Sequence, residues 1–349
     1  MSVLNPNISI IIPHWNGIEV LSECLNSLKK TNYESYEIIV SDNNSEDGSQ
    51  EWVKKNHPDV ILLENNQNYG YSGGCNRGAN IAKGEYIIFL NNDTTQDPNW
   101  LGPLVDIFEK DNLIAAIQPK ILNYFNKEIF DYAGGCGGLL DIFCYPFARG
   151  RIFLKQEKDK GQYNKSQECF WASGAAIMMR KNIFFSAGKL DSVFFSHMEE
   201  IDLCWRFQAM GYKVLVEPKS IVYHKNAISL PMNSQKKHYL NHRNSLIMIF
   251  SNYSIPLSFY LGTIRIIFEF ISLVYTLLKF DFKHFSGISW ALLWLIFHPI
   301  TLLKKRLRFK KLRTVKDKKI MEKMFRKSIV VEHFILKKNS YSSLISKTF

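Results

Sequence analysis

Short apolar segments with the period of a strand alternate with segments of helical period along the first third of the chain. The segments "ISIIIP" and "YEIIVS" are two such strands, and between them apolar residues recur at the three- and four-residue spacing of a helix face. The alternation continues through "VILLEN", "EYIIFL" and "WLGPLVDIFEK". Strands that alternate with helices are typical of a mostly parallel sheet. We therefore expect an α/β fold in which helices flank the sheet.

Three of these predicted strands run directly into polar residues. Ligands of open parallel sheets bind beyond the carboxyl ends of the strands, so side chains at these ends converge on one site. Asparagine and aspartate are also common in turns and helix caps, and one such segment alone would indicate only a turn. Three at one sheet edge favour a ligand site. The residues are His14, Trp15 and Asn16, then Asp42, Asn43 and Asn44, then Asn91, Asn92 and Asp93.

The positive charge of the chain is concentrated in one segment. The formal net charge is +12, and residues 302–327 hold thirteen Lys and Arg against two acidic residues, a balance of +11. Uniform basicity would favour nucleic acid, whereas a basic block after an apolar stretch is typical of attachment to an anionic membrane surface. We therefore expect a membrane surface as a partner and no nucleic acid.

Cysteine usage and the N-terminal segment indicate a cytoplasmic location for the folded part. The six cysteines are scattered without a CxxC pair, which predicts reduced thiols. The first residues lack a basic segment, and their apolar run stops at Pro13, which argues against a secretory signal. Together with the basic block, these features predict a protein on the cytoplasmic face of the cell membrane.

The middle of the chain is less regular. The segment "YAGGCGG" is typical of a flexible loop, and "SGAAIMMRKNIFFSAGKLD" predicts a strand and a short helix. A further helix is predicted from about Glu199 to Met210, where Gly211 ends it. Two strands, "KVLVEP" and "SIVYH", are expected after this helix.

The C-terminal region predicts apolar helices. Over residues 255–280 the polar residues are spaced alternately by four and three, which places them in a narrow stripe on one helix face. Residues 290–303 are apolar but broken at His298 and Pro299, short of the ~20 residues that a membrane span needs. We expect these helices to lie in the membrane interface, with a transmembrane hairpin as the alternative. The stripe is Ser258, Gly262, Arg265, Glu269, Ser272, Thr276 and Lys279.

With these elements in place, the chain resembles the family 2 inverting glycosyltransferases of GT-A fold, particularly the rhamnosyltransferase-like members that build bacterial surface polysaccharides. The resemblance covers residues 8–244, roughly two thirds of the chain. Each motif is weak alone, but their order is specific. The motifs are "IIPHWNG", "VSDNNSEDGS", "NYGYSGGCNRG", "FLNND", "SGAAIMMRK", "EEIDLCWR", "GYKVLVEP" and "VYH".

The resemblance implies a Rossmann-like catalytic domain over residues 1–250. Its nucleotide-sugar half extends to about residue 115, and its acceptor half covers about 116–250. Residues 251–349 then form a C-terminal membrane-associating helical appendage.

A nucleotide-sugar donor carries a diphosphate whose charge rises as the sugar leaves, so its site needs a divalent cation or fixed positive groups. Asp93 offers a hard oxygen ligand, which suits Mg²⁺ or Mn²⁺. By resemblance, Asp93 matches the last carboxylate of the family's DxD motif, and His224 matches a histidine that completes the metal site. Asn91 replaces the first aspartate of that motif, which removes one charge. A buried core histidine is the alternative for His224.

The predicted nucleotide contacts begin with Asp42. An ionised carboxylate accepts a hydrogen bond from N3–H of uracil or thymine, and cytosine has no such proton, so a UDP- or dTDP-sugar fits better than a CMP-sugar. The resemblance places Asp42 at the base, with Pro13, His14 and Asn16 lining the same pocket.

Further residues are expected near the donor. Asn91 and Asn92 follow the same strand as Asp93. Gly73, with Gly74 and Gly78, allows close backbone approach near a helix start, although the spacing matches neither GxGxxG nor the P-loop. Arg243 resembles a basic residue that steadies the diphosphate, and a solvated surface charge is the alternative.

Inversion at the anomeric carbon needs one base that takes the proton of the acceptor hydroxyl. Glu199, Glu200 and Asp202 begin a predicted helix, where the helix dipole favours acidic residues in any case. The resemblance matches Glu200 to the base of the family's ED motif, with Glu in place of the commoner Asp. We assign the base to Glu200, acceptor binding or support to Asp202, and helix capping or shaping of the acceptor pocket to Glu199.

These assignments predict an enzyme that moves a sugar, with rhamnose as one candidate, to a lipid-linked saccharide in bacterial surface polysaccharide synthesis. One alternative transfers the sugar to polyprenyl phosphate itself, which needs no base for a hydroxyl. The other is a non-catalytic basic protein that binds membrane or nucleic acid. The sequence leaves the oligomeric state open.

Overall fold

A computed structural model describes residues 7–225 and 234–345. Strands and helices alternate over its first 110 residues, as the sequence predicts. The strands are β1 Ile8–His14, β2 Tyr36–Asp42, β3 Ile61–Glu64, β4 Tyr86–Leu90, β5 Thr94–Gln96, β6 Ile114–Asn123, β7 Gly138–Leu140, β8 Pro146–Ala148, β9 Arg151–Ile152, β10 Lys155–Gln156, β11 Gln167–Glu168, β12 Ala176–Arg180 and β13 Lys213–His224.

The helices of the N-terminal two thirds are α1 Ile18–Leu28, α2 Ser49–Asn56, α3 Gly70–Ile81, α4 Leu101–Lys110, α5 Lys181–Ser186 and α6 Glu199–Ala209, with a 3₁₀ turn at Ser192–Phe194. Those that follow are α7 Gln235–Asn252, α8 Ile255–Leu278, α9 Phe282–Phe297, α10 Pro299–Leu312, α11 Asp317–Met321 and α12 Tyr341–Ile345, with a π-helical turn at Val331–Ile335.

The main sheet has nine strands within the described residues, in the order β11-β13-β6-β12-β4-β1-β2-β3, with β5 paired to β13. Strands β1 to β4 are mutually parallel where they pair, and β13 is parallel to β6. Strand β12 is antiparallel to both of its neighbours. The predicted mostly parallel α/β sheet is therefore confirmed, with antiparallel insertions.

Strand β13 differs from the sequence prediction of two strands. Its residues form one continuous strand along β6, with a register shift between Glu217 and Ile221. Pro218 lies within this shift, where the ladder hydrogen bond that proline cannot donate is not needed. The shift lets a single strand supply both predicted apolar segments.

Helices cover both faces of the sheet. On one face, Leu21 and Leu25 of α1 pack with Leu104 of α4 in one buried cluster. On the other face, Cys75 of α3 and Trp205 of α6 belong to a second cluster.

Helix α3 lies close to β1 because small residues face the strand. A Cβ placed on Gly78 would lie 2.5 Å from Ile11, and one on Gly74 would lie 3.2 Å from Pro13. These two glycines therefore let the helix backbone approach the carboxyl end of β1.

The region around "YAGGCGG" forms part of a second, four-stranded sheet, β10-β9-β8-β7, rather than a loop alone. The C-terminal segment returns to this sheet, since Ile142 N–H donates to the carbonyl of Phe325 at 3.1 Å. Leu344 of α12 packs there with Phe147 and Ile152.

Helix α8 is amphipathic with its polar stripe turned inward. Five residues of that stripe are buried, namely Ser258, Gly262, Arg265, Glu269 and Thr276. The exposed large side chains of the helix are apolar, namely Ile255, Phe259, Tyr260, Ile267, Phe270, Ile271, Val274, Tyr275, Leu277 and Leu278. Among the described residues α8 is long and apolar enough to cross a membrane, and α9 and α10 meet at a 75° bend.

Only part of the basic block, residues 302–327, is exposed to solvent. Lys305 is buried and its Nζ lies 2.6 Å from Asp191, while Arg306 donates to the carbonyl of Tyr253 at 2.7 Å. Other lysines of the block are exposed, namely Lys304, Lys310, Lys311, Lys316, Lys318 and Lys319. The block therefore both fastens α10 to the rest of the protein and leaves a positive surface.

Candidate active site

The carboxylate of Asp93 and the imidazole of His224 meet at the carboxyl edge of the sheet. Strand β5 begins directly after Asp93 and pairs antiparallel with the end of β13, with Thr94 opposite His224. This register places Asp93 Oδ1 3.1 Å from His224 Nε2, and both side chains are buried. Two residues 131 positions apart thus come into contact through one short strand pair.

Asp131 holds the other edge of the His224 ring. Its Oδ1 lies 2.8 Å from His224 Nδ1 and also accepts from the backbone N–H of Ala133. A carboxylate on Nδ1 fixes the ring orientation and directs Nε2 toward Asp93. Burial alone would lower the pKa of His224, but the Asp93 and Asp131 carboxylates raise it well above its usual value.

These residues fit a divalent cation between Asp93 and His224. Asp93 Oδ1 is buried and has no hydrogen-bond donor among the described residues, because its approach to Nε2 lacks hydrogen-bond geometry. The described part of the chain has no cluster of three or more metal-ligating side chains. Two protein ligands are nevertheless compatible with Mg²⁺, which is commonly held by one or two carboxylates, water and substrate phosphates. Asn91 Nδ2 lies 3.3 Å from His224 Nε2 at the position where the family pattern has a second carboxylate.

His14 is held at the end of β1 by two side chains. Asn92 Nδ2 lies 2.8 Å from His14 Nδ1, and Ser49 Oγ lies 2.9 Å from Nε2. An amide nitrogen can only donate, so this arrangement is satisfied by a neutral ring with its proton on Nε2. Burial, opposed by Asp42 and Asp47, lowers the pKa of His14. The structure thus brings His14 and Asn92, both predicted donor residues, into one hydrogen-bond network.

Asp42 lies opposite His14 in the β1–β2 register and is fully buried. Its Oδ1 accepts from Ser45 N–H at 2.9 Å and from Gln50 Nε2 at 2.6 Å, and its Oδ2 accepts from Ser45 Oγ at 2.6 Å. These bonds order the loop after β2 around the predicted base pocket. A nucleobase that binds Asp42 has to share or replace one of them.

The remaining predicted donor residues shape the backbone of this edge. Asn16 has a φ of 56° and its Oδ1 accepts from Glu46 N–H at 2.9 Å, so it joins the loops after β1 and β2. Pro13 lies beside α3, where a Cβ on Gly74 would come 3.2 Å from its Cβ. Gly73 lies within α3, where a Cβ would come 2.3 Å from Cβ of Tyr69.

Glu199 and Glu200 begin α6 with a buried oxygen each that no described residue bonds, Oε2 in both cases. Burial raises the pKa of Glu200 to about 7, against backbone N–H groups that lower it, including that of Gly174. Burial and the charge of Glu200 raise the pKa of Glu199 well above its usual value. Glu200 therefore carries a partly ionised carboxylate near neutral pH, as a general base requires.

The "SGAAIMMRK" segment connects Glu200 to the strand end that carries Asp93. A Cβ placed on Gly174 would lie 3.7 Å from Glu200 Cδ, and Tyr71 Oη donates to the Gly174 carbonyl at 2.5 Å. The next carbonyl, of Ala175, accepts from Asn91 N–H at 3.0 Å. Glu200 and the end of β4 are therefore neighbours across one short segment.

Asp202 faces away from this segment. It pairs with Arg206 on the same helix at 2.8 Å, accepts from Asn252 Nδ2 at 3.1 Å, and lies 3.9 Å from Lys305. These contacts link α6 to α7 and α10. The structure thus places Asp202 in a supporting network.

Arg243 is buried in α7 and donates to the carbonyls of Val193 and Phe194 at 2.7 and 3.1 Å. It also donates to Asn244 at 2.9 Å. The guanidinium therefore holds the 3₁₀ turn that precedes α6, and is not a solvated surface charge.

Asp131 and Tyr71 contact the candidate site, and the sequence prediction did not include them. Asp131 precedes the segment that was expected to be a loop, and Tyr71 lies among the glycines of α3. An isolated aspartate before a glycine-rich turn is a weak indication of a histidine partner, because its distance to His224 depends on the bridge between Leu122 and Phe130.

The family model described as Glycosyl transferase family 2 matches residues 9–185, which include all of β1 except Ile8, all of β2 to β12, and Asp93. Glu200 and His224 lie beyond the matched range.

Two curated relatives illustrate the similarity. The O-antigen biosynthesis protein RfbC of Myxococcus xanthus is 27% identical over 233 residues, which is 64% of this chain but 18% of that protein. The N-acetylglucosaminyl-diphospho-decaprenol L-rhamnosyltransferase of Mycobacterium tuberculosis is 23% identical over 253 residues, covering 67% of this chain and 81% of that protein. This chain thus spans less than a fifth of the first relative and most of the second.

Solved structures share the fold. GalNAc-T7, crystallised with UDP, GalNAc and Mn²⁺, superposes with a TM-score of 0.52 at 21% identity, over 62% of this chain and 43% of that one. Residues 1–349 of S. aureus TarS give a TM-score of 0.50 at 13% identity, over 91% and 83% of the two chains.

Proposed function

Because this chain belongs to Glycosyl transferase family 2 and has the GT-A fold, we propose that it is a metal-dependent inverting enzyme that transfers a sugar from UDP or dTDP to a lipid-linked glycan. The observation that carries the proposal is the pairing of the Asp93–His224–Asp131 cluster with Glu200 across the Gly174 segment.

The donor half would hold the nucleotide and its cation. Asp93 Oδ1 and His224 Nε2 would be the protein ligands of the cation, and Asp131 would orient the ring. A bound Mg²⁺ or Mn²⁺ supplies Lewis-acid stabilisation of the negative charge on the leaving diphosphate. The loops after β1 and β2, with Asp42 and Asn16, form the nucleoside side of the pocket.

Glu200 would act on the acceptor. Its Oε2 accepts the proton of the acceptor hydroxyl as that oxygen bonds to the anomeric carbon of the donor sugar. The bond from that carbon to the donor phosphate oxygen breaks, and the nucleoside diphosphate leaves with the electron pair. Attack opposite to the leaving group inverts the anomeric configuration.

The apolar face of α8 supports a membrane position for this reaction. Most of its polar stripe is buried inside the protein, so the large side chains left outside are apolar, and exposed lysines of α10 and α11 lie in the segments that follow. Apolar area and basic charge together are the requirements for binding an anionic leaflet. The relative from Mycobacterium tuberculosis is named for an acceptor on a diphospho-decaprenol lipid. We therefore place this enzyme on the cytoplasmic membrane face with a lipid-linked acceptor.

The donor proposal is tested with a panel of UDP- and dTDP-sugars in Mn²⁺ or in excess EDTA. We expect one donor to be bound and slowly hydrolysed only with the cation. The Asp93→Ala variant should lose at least about 10²-fold in rate and show weaker Mn²⁺ binding by electron paramagnetic resonance. Asp59→Ala, which removes an exposed carboxylate before β3, is the control and should behave as the parent. Full activity in EDTA would overturn the metal-dependent mechanism.

Attachment is tested on vesicles that contain anionic lipid. Phe259 and Phe270 are 68% and 57% exposed on α8, so replacing both by Asp removes mainly apolar surface that would contact lipid. We expect retention to fall at least about tenfold. Phe125→Asp, at a site 76% exposed on the catalytic part, should not change retention. Equal loss in both variants would show that α8 is not the attachment face.

A further inference from the structure

The four residues that lead into α6 form a turn, residues 195–198, in which three residues have a positive φ. The φ values of Phe195, His197 and Met198 are 63°, 67° and 69°. A side chain beyond Cα makes such a backbone unfavourable, so these residues keep their conformation only with support from their surroundings. Met198 lies directly before α6, whose second residue is Glu200. The direction of the Glu200 side chain therefore depends on a strained turn.

The side-chain amide of Asn244, on α7, holds the backbone of this turn. Its Nδ2 donates to three backbone carbonyls, those of Phe194 at 3.2 Å, Ser196 at 3.0 Å and His197 at 2.6 Å. Asn244 is fully buried, so these bonds form in the protein interior, where a hydrogen bond is stronger than in water. One side chain thus supports the turn at three successive points.

Arg243, the preceding residue of α7, fixes which way this amide faces. Its Nε donates to Asn244 Oδ1 at 2.9 Å. A guanidinium can only donate, so the amide oxygen has to face Arg243 and the amide nitrogen has to face the turn. Arg243 also donates to the carbonyl of Phe194 at 3.1 Å. The two neighbouring side chains of α7 therefore act on the same segment of backbone.

Helix α3 contacts the turn from another side. The backbone N–H of Ser72 donates to the carbonyl of Phe195 at 3.3 Å. A Cβ placed on Gly70 would lie 2.6 Å from that carbonyl oxygen, so the glycine allows the close approach. The turn therefore lies between α3 and α7, and Asn244 supplies three of the hydrogen bonds that hold it.

We propose that Asn244 is a positioning residue for Glu200. By holding residues 195–198 in their positive-φ conformation, it directs the Glu200 carboxylate toward the acceptor hydroxyl. This inference rests on the proposed function, because it takes Glu200 as the base. Asn244 bonds the backbone of the turn and not Glu200 itself, so its effect passes through the turn. A displacement of about 1 Å at a reacting group can lower a rate by about 10²-fold.

The test measures hydrolysis of the nucleotide sugar that the parent uses with Mn²⁺, with water in place of the acceptor hydroxyl. The rate per folded molecule of Asn244→Ala should fall by about 10- to 100-fold. Its dissociation constant for UDP, measured by calorimetry, should stay within about twofold of the parent, because the proposed nucleotide contacts are Asp42 and Asp93. Circular dichroism gives the folded fraction. Asn244→Ser, which keeps a shorter donor, serves if the alanine variant fails to fold.

Substitutions at His197 separate positioning from a general loss of stability. Glycine adopts a φ near 67° without steric cost, so adding His197→Gly to Asn244→Ala should restore the rate by about three- to tenfold. Adding His197→Ala removes the same imidazole but keeps the strained backbone, and it should restore nothing. Equal rates in the two double variants would overturn the proposal.

Gln208→Ala is the matched control. Gln208 is also buried, and its Nε2 donates to the backbone carbonyl of Phe170 at 2.8 Å from the far end of α6. The loss of this amide should leave the rate per folded molecule at the parental value. A fall equal to that of Asn244→Ala would show that any buried amide near α6 has the same effect, and would overturn the specific role of Asn244.

The same measurements distinguish this inference from the proposed function. A parent that loses its activity in Glu200→Gln but keeps it in folded Asn244→Ala or Asn244→Ser would refute the inference alone. A parent that binds or hydrolyses no nucleotide sugar, or a Glu200→Gln variant that keeps the parental rate, would refute the proposed function itself.

Discussion

The first turn of α6 and the middle of α8 each hold a glutamate with buried carboxylate oxygen, Glu200 and Glu269, but the two carboxylates have different neighbours. Glu269 of α8 lies 2.5 Å from Arg265 and 2.6 Å from His242, and these partners lower its pKa to about 2. Glu200 of α6 has backbone N–H groups and no cationic partner among the contacts that act on it, and its pKa rises to about 7.

This difference distinguishes a carboxylate that stabilises the fold, Glu269, from one that can exchange a proton near neutral pH, Glu200. Burial opposes ionisation at both positions, and the outcome depends on whether fixed positive charge offsets it. Glu269 is therefore ionised and links α8 to α7. Glu200 can gain and lose a proton near neutral pH, as catalysis by a base requires.

Replacing Glu200 by Gln gives the largest expected effect. The amide keeps the shape and cannot accept the proton, so turnover should fall by about 10²- to 10⁴-fold. UDP affinity should hardly change, because the proposed nucleotide contacts are Asp42 and Asp93. Steady-state turnover and calorimetric UDP binding measure both effects.

Glu199→Gln is the neighbouring control, and it should cost less. If that variant lost turnover and Glu200→Gln kept it, the base would be Glu199. If neither mattered, transfer to a hydroxyl assisted by this motif would be the wrong mechanism, and transfer to polyprenyl phosphate would take its place.

Replacing Glu269 by Gln should affect stability instead of chemistry. It leaves Arg265 buried without its anion, and breaking a buried pair in this way costs about 3–5 kcal/mol. Urea unfolding at neutral pH should show this loss, while Glu200→Gln should not lower the midpoint, because it removes a carboxylate whose ionisation opposes folding.

A double variant sharpens the contrast at Glu269. Replacing Arg265 by Met together with Glu269 by Leu removes both charges and should recover part of the stability. If Glu269→Gln were as stable as the parent, the contacts of Glu269 with Arg265 and His242 would not be what holds α8 against the rest of the protein.

The folding stability linked to Glu200 and that linked to Glu269 should change in opposite directions with pH. Since Glu200 must be ionised to act, turnover should fall about tenfold per pH unit below pH 7. The raised pKa also means that folding stability from this site is present at low pH and decreases as pH rises from about 4.5 through about 7. The pH profile of turnover, with Glu199→Gln as a comparison, tests the assignment, and a flat profile from pH 5 to 8 would contradict it.

Glu269 should behave in the reverse direction. Its lowered pKa means that its contribution to stability is present above about pH 4.5 and is lost as pH falls toward about 2. Acid unfolding of the parent and of Glu269→Gln should converge over this window. Parallel curves would show that the carboxylate carries no linked stability.

The sequence by itself determined the fold class and the sites of several side chains. The period of the apolar residues specifies strand or helix locally, and the carboxyl ends of parallel strands must share an edge. These two rules are sufficient to place His14, Asp42 and Asp93 at one edge of the sheet. The first rule is also sufficient to place the polar residues of α8 in a stripe, since the helical period is local.

Only the tertiary structure decided what each of these side chains contacts. The β5–β13 register brings Asp93 to His224, and the turn after β6 brings Asp131 to the same ring. Packing turned the polar stripe of α8 inward, and it placed Arg243 on backbone carbonyls. Contacts between residues far apart in sequence depend on the register and packing of whole elements, and no local pattern specifies them.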